Sequence, residues 1–304
     1  MTSIFALFPG QGSQKVGMGK TLCEQYPQAA ELFQAADEPL GFSLSSICFD
    51  GPLEKLTLTE ITQPAILTVS TACFKLWQET AGAAHTVVGA AGHSLGEYSA
   101  LVAAGALSFK DAVQLVHKRG KYMQEAVPVG TGRMVAVLGK DVADIEAALP
   151  TEGSEVAQIA NINAPGQVVV AGSVNGVQMF LDKLGAAKTV ELTVSAPFHC
   201  DLMKPAEEKL REDLATVAIS KPAFPVFQNY TAEASDDPEQ IRENLALQVC
   251  GRVRWVECVN NALTQSSAEE AWEFGAGNVL SGLMKRISSG TPRKNIDGTD
   301  SLEG

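Results

Sequence analysis

A short apolar run, residues 86–91, leads into Gly92-His93-Ser94-Leu95-Gly96 and then directly into a helix-forming stretch, residues 97–107. A strand, a sharp turn and a helix with serine at the tip form a nucleophile elbow, which exists only where a sheet and helices lie in adjacent layers. Glycines two places before and after the serine let neighbouring backbones pass close to the turn. The helix start adds unpaired N–H groups that favour a developing oxyanion. A glycine-rich turn with an idle serine would show the same letters; the flanking strand and helix favour the nucleophile.

The remaining periodicity fits this frame. Residues 3–8 read as a buried strand closed by Pro9-Gly10-Gln11-Gly12, and residues 21–36 and 64–79 as helices, so the core is expected to be a mostly parallel sheet. Between Pro128 and Pro197 the order becomes strand 133–139, helix 141–149, strands 156–162 and 167–171, helix 174–184 and strand 188–194. That βαββαβ order is the ferredoxin-like module. The expected fold is therefore α/β: a hydrolase-like parallel-sheet domain from residues 1–127 and 196–287, with a ferredoxin-like small domain, 128–195, inserted. Residues 288–304 are polar and aperiodic, and a flexible tail is expected there.

Composition excludes several classes. Hydrophobic residues make up 45% and charged residues 19% of 304, ordinary values for a globular chain. A net charge of −12 opposes general binding to DNA or RNA, where affinity comes from Lys and Arg on phosphates. No apolar run is long enough to span a bilayer and none resembles a signal peptide, so a cytoplasmic protein free of membranes is expected. The six cysteines contain no Cys-x-x-Cys pair and the four histidines no ligand spacing, so neither disulfides nor a metal site is expected.

A serine needs a base. His199, in the loop Ser195-Ala-Pro-Phe-His-Cys-Asp201 between the small domain and a helix, is the best candidate. By contrast, His117 reads as lying on a solvated helix face, His85 as exposed, and His93 as pointing away from the serine. Arg119 follows a Ser108-x-x-Asp111 capping box, and its neighbours three and four residues away are Leu115, Val116, Tyr122 and Met123. Its guanidinium thus emerges from a core-facing stripe and requires a carboxylate, either internal or belonging to a substrate. The loop Gly10-Gln11-Gly12-Ser13-Gln14 lacks the third glycine of a dinucleotide fingerprint, because Lys15 stands in its place.

The blocks Phe8-Pro-Gly-Gln-Gly-Ser-Gln14, Gly92-His-Ser-Leu-Gly-Glu-Tyr-Ser-Ala100, Asn161-Ile-Asn-Ala-Pro-Gly-Gln-Val168, Ala196-Pro-Phe-His199 and Glu273-Phe-Gly-Ala-Gly277 occur in order. Together they resemble the malonyl-CoA:acyl carrier protein transacylases of bacterial type II fatty acid synthesis. The resemblance implies malonyl transfer from malonyl-CoA to the phosphopantetheine thiol of acyl carrier protein, with no other cofactor. It implies Ser94 as nucleophile, His199 as base, and backbone N–H groups of Gln11 and Leu95 as oxyanion hole. Arg119 would hold the malonyl carboxylate, and a main-chain carbonyl at Gln248 would orient His199. Phe198 resembles the bulky residue that accompanies malonyl selection in related acyltransferases, and His93 and Asn163 fall in the matched blocks as further substrate-binding candidates.

Two alternatives use the same letters: a serine hydrolase such as a thioesterase or patatin-like lipase, and a non-catalytic carrier-protein or nucleotide-binding module. An acidic carrier would call for local cations near the cleft, with Arg133, Lys188 and Lys204 as candidates by position. A monomer is the expectation.

Overall fold

The computed structural model describes residues 1–302. Five parallel strands form the main sheet: β1 (Thr2–Phe8), β2 (His85–Gly92) and, from the C-terminal third, β7 (Val226–Phe227), β8 (Glu270–Phe274) and β9 (Arg293–Ile296). Their order is β7-β2-β1-β8-β9. Alternation along β1 fills both faces. Ile4, Ala6 and Phe8 join the larger core under the helices Pro27–Leu40, Thr59–Thr80 and Phe109–Glu125, while Phe5 and Leu7 join a smaller core against Trp255–Ser266 and Val279–Ile287. A strand apolar on both faces belongs in the middle of a covered parallel sheet, which is where β1 lies.

The middle segment forms a four-stranded antiparallel sheet of β3 (Gly132–Leu138), β4 (Ala157–Ala164), β5 (Gln167–Ser173) and β6 (Lys188–Glu191), in the order β4-β5-β3-β6. With the helices Val142–Ala148 and Val174–Leu184 this is the ferredoxin-like order read from the sequence. One face, including Val135, Val137, Val168 and Val170, packs on those helices. The opposite face, including Met134, Ala136, Val169 and Ala171, joins the large core. Backbone bonds from Ile162 N to Val253 O (2.9 Å) and from Val253 N to Ala160 O (2.8 Å) tie β4 to the chain after Gln248.

Two expectations change. The helix expected over 21–36 is two, Lys20–Gln25 and Pro27–Leu40, because Pro27 cannot continue the first and begins the second. The stretch from 288, expected to be loose, adds an edge strand: β9 pairs with β8 from Ala271↔Arg293 to Phe274↔Ile296, and Ile296 and Leu302 are buried. Glu303 and Gly304, also within the expected tail, lie outside the described residues. Among the described residues no helix is long and apolar enough to cross a membrane.

Candidate active site

β1 and β2 are adjacent, and both deliver their carboxyl ends to one edge of the sheet, where open α/β sheets place their sites. Ser94 sits at the tip of the turn with φ 52°, in the left-handed region that a strand-turn-helix elbow imposes on its tip residue. The flanking glycines are sterically required. A Cβ on Gly92 would lie 1.8 Å from the Gly96 carbonyl carbon, and one on Gly96 would lie 2.1 Å from Phe8 O. Asn229 braces the turn by accepting the Ser94 N–H at Oδ1 (2.7 Å) and donating from Nδ2 to Gly92 O (2.8 Å).

Ser94 Oγ lies 2.8 Å from His199 Nε2, and His199 Nδ1 lies 2.9 Å from Gln248 O. A carbonyl only accepts, so Nδ1 carries the proton and Nε2 is free to accept from the serine. Gln248 can offer its main chain because it caps the helix Pro238–Leu247, where carbonyls have no partner further along. Burial, reinforced by the Arg119 charge, lowers the His199 imidazole to about 3, so the ring is a neutral base at pH 7.

Arg119 is 1% exposed. Its Nη1 donates to Gln63 Oε1 (2.8 Å), and its Nη2 donates to Gln248 Oε1 and to Ser94 Oγ (2.9 Å each). Its Nε–H is buried with no partner, and no carboxylate forms an ion pair with it among the described residues. The internal ion pair that the sequence left open is therefore not formed. A buried cation held only by neutral acceptors keeps its charge available to an anionic ligand.

A cavity of about 180 Å³ gathers these groups, lined by Gln11, His93, Ser94, Leu95, Arg119, Asn163, Phe198 and His199, with Met134 and Val169 from the small sheet as its roof. The N–H groups of Gln11 and Leu95 are not taken up by other groups among the described residues. His93 is better placed than its sequence suggested: it lines the cavity, and its Nε2 meets Asn163 Oδ1 at 2.8 Å, joining the elbow to β4. Burial lowers its pKa.

Several side chains differ from expectation. His117 is not on a solvated face; it is half-buried, its Nδ1 bonds Glu60 O (2.8 Å) and its ring packs on Phe42. His85 is half-buried against Trp272. Of the three expected cleft cations, Arg133 is paired with Glu191 and Lys204 with Glu207, leaving Lys188 exposed on β6. Gln63, Glu97 and Asn229 were not singled out from the sequence. Gln63 and Glu97 each interrupt an apolar helical run, which is a usable signal, whereas Asn229 follows an irregular Pro-rich passage that offers none.

The acyl transferase domain family matches residues 5–270. The malonyl CoA-acyl carrier protein transacylase of Bacillus subtilis (strain 168) is 46% identical over 293 residues, covering 95% of this chain and 91% of that protein. The chain belongs to this transacylase family. Among solved members, the transacylase of Coxiella burnetii superposes with a TM-score of 0.94 at 40% identity, covering 99% of this chain and 96% of that one. A malonyl-transacylase solved in complex with a type II PKS acyl-carrier protein also has a TM-score of 0.94 at 40% identity, covering 99% and 98%. Likeness to family members runs through both the parallel sheet and the small antiparallel sheet.

Proposed function

We propose that this acyltransferase moves the malonyl group of malonyl-CoA to the phosphopantetheine thiol of acyl carrier protein, supplying fatty acid synthesis, through a malonyl ester on Ser94. The observation that carries the reading is the meeting at Ser94 Oγ of a neutral histidine, at 2.8 Å, and a buried cation without a carboxylate, at 2.9 Å. A base activates the hydroxyl. A cation beside it recognises an acyl group that ends in a carboxylate.

The malonyl carboxylate binds Arg119 and satisfies its free Nε–H. Ser94 Oγ attacks the thioester carbonyl as its proton passes to His199 Nε2, and the imidazolium is held through Nδ1–H by Gln248 O. The N–H groups of Gln11 and Leu95 receive the oxyanion, each contributing about 3 kcal/mol in comparable sites. The C–S bond then breaks and His199 returns the proton to the CoA sulfur. The carrier thiol repeats the sequence in reverse: it gives its proton to His199, attacks the ester and frees Ser94. Phe198, His93 and Asn163 shape the acyl pocket.

The carrier protein docks beside β6, whose chain continues to the cavity-lining Leu192 and Val194, with the exposed Lys188 as its cation. The reading takes the protein as a cytoplasmic monomer. Intact-mass measurement tests the reading: malonyl-CoA should add one malonyl group to the protein, lost on adding holo carrier protein and never gained by Ser94→Ala. Prompt release of free malonate without an acceptor would identify a hydrolase instead.

A further inference from the structure

Glu97 lies one residue into the helix Gly96–Ala103 and is fully buried, yet nothing in the transfer mechanism uses it. Its carboxylate has three donors aimed at it. Oε1 accepts from Gln228 Nε2 (3.2 Å), and Oε2 accepts from Asn229 N (2.8 Å) and Gln248 Nε2 (2.7 Å). It makes no hydrogen bond to Arg119. The contact with Gln248 is the informative one.

A glutamine amide has one oxygen and one nitrogen, and either could face a given neighbour. Gln248 has no such freedom. Its Nε2 donates both to Glu97 Oε2, which only accepts in the ionised carboxylate, and to the Ser94 carbonyl (3.1 Å), so its Oε1 turns toward Arg119 Nη2. Burial raises the Glu97 carboxyl to about 7, and this hold belongs to the ionised form. A reversed amide would set an oxygen against a buried carboxylate and an NH₂ against a guanidinium, repulsive on both sides. Glu97, the shorter of the two acceptor contacts and the charged one, thereby acts with Ser94 O to set what Arg119 meets, without touching it. Through Asn229, whose N–H it accepts and whose side chain braces the elbow, the same carboxylate is linked to Ser94.

We propose that Glu97 is a positioning residue for acyl selection: by accepting the Gln248 amide it keeps Gln248 Oε1 on Arg119, and so holds the guanidinium beside Ser94 in the orientation a malonyl carboxylate needs. This deepens the reading of Arg119 as the carboxylate clamp and rests on it. Burial keeps the site dry, which makes the choice of donor and acceptor decisive.

The test compares kcat and KM for malonyl-CoA and acetyl-CoA in Glu97→Met, Gln248→Met, the double variant and Arg119→Ala. Methionine has similar length and removes the acceptor; at position 248 it removes the amide but leaves the main-chain carbonyl that holds His199. Glu97→Met and Gln248→Met should each lower the malonyl-over-acetyl ratio of kcat/KM by about tenfold, chiefly through a higher KM for malonyl-CoA. The double variant should be no less selective than Gln248→Met alone, because both act through one amide. A merely structural loss would lower both substrates together.

An unchanged ratio in folded Glu97→Met, or an additive double variant, overturns the proposal. If Glu97→Met does not fold, Gln248→Met decides, and an unchanged ratio there overturns it equally. Arg119→Ala separates the two readings. Selectivity lost there but kept in Glu97→Met rejects Glu97 alone, whereas selectivity kept in Arg119→Ala rejects the clamp and this proposal with it.

Discussion

Arg119 Nη2 donates to Ser94 Oγ at 2.9 Å, so the residue expected to recognise the acyl group also touches the atom proposed to attack it. The serine oxygen accepts from a cation while donating to His199, and as its proton leaves, growing negative charge on Oγ is already faced by a guanidinium. In the proposed transfer selection and part of the activation share one side chain, so acetyl transfer feels its loss too, but less than malonyl transfer.

Removing that side chain should separate substrates by charge. Arg119→Ala is expected to lower kcat/KM for malonyl-CoA by about a hundredfold or more, the loss of roughly 3 kcal/mol in charge-assisted hydrogen bonds, and to affect acetyl-CoA much less. Arg119→Lys should recover only part, since an ammonium cannot reproduce the planar fork. Steady-state kinetics with both thioesters check this; equal losses would contradict the clamp.

Acid should inhibit late. The proposed transfer needs His199 as a neutral base, and its imidazole is lowered from 6.5 to about 3, so lowering the pH through 6.5 does not protonate it in the folded protein. The rate of acetyl transfer, which does not call on the carboxylate clamp, should stay level from pH 8 to about 5. Burial raises the Glu97 carboxyl to about 7, so only a fall centred on 6.5 that persists in Glu97→Met would mean that the ring is more exposed to water than its burial indicates. The same shift has a stability consequence: between 3 and 6.5 the unfolded chain binds a proton that the folded one does not, so this group's contribution is complete above 6.5 and is lost as pH falls below it.

Gly120 adjoins Arg119 where the helix Phe109–Glu125 crosses the start of Thr59–Thr80. A Cβ there would lie 2.6 Å from Thr59 O and 2.7 Å from Glu60 Cα, both backbone atoms with little room to yield. Gly120→Ala should cost about 1–3 kcal/mol in denaturant unfolding and also raise KM for malonyl-CoA, because the helix that carries the guanidinium is pushed outward. Wild-type stability would show that the two helices can part freely.

Deleting residues 288–304 should unzip β9 from β8 and uncover the core beneath Ile296 and Leu302. Burial of two such side chains is worth about 3–6 kcal/mol, so the melting temperature should drop by many degrees. A truncated chain that melts with the intact one would return this segment to the status of a tail.

Lys188→Glu should raise KM for the carrier protein by about three- to tenfold and leave malonyl-CoA kinetics in the first half-reaction unchanged. Arg133 and Lys204, already paired with Glu191 and Glu207, should respond less.

How much was legible follows from how local each signal is. The elbow could be read because strand, glycines, serine and helix are contiguous, and Arg119 because a cation in a core-facing stripe breaks a 3.6-residue period. β9 could not, since Arg293-Lys-Asn-Ile buries one side chain fully and an edge strand rich in cations looks like a loop. His117 looked solvated because its partners, Glu60 O and Phe42, lie far away in sequence. Asn229 meets the site only through the fold, and an isolated amide in an irregular passage carries no period.

The main-chain hold on His199 has a further consequence. In most serine enzymes the group that steers the base is a side chain, and a codon change can delete it. In the proposed site it is the carbonyl at the end of Pro238–Leu247, which every amino acid supplies. A saturation scan of position 248 would report only on the amide, and the atom that aims the imidazole would remain silent throughout. Drift in sequence can erode that hold only by moving the helix end itself, so this part of the machinery is inherited as shape.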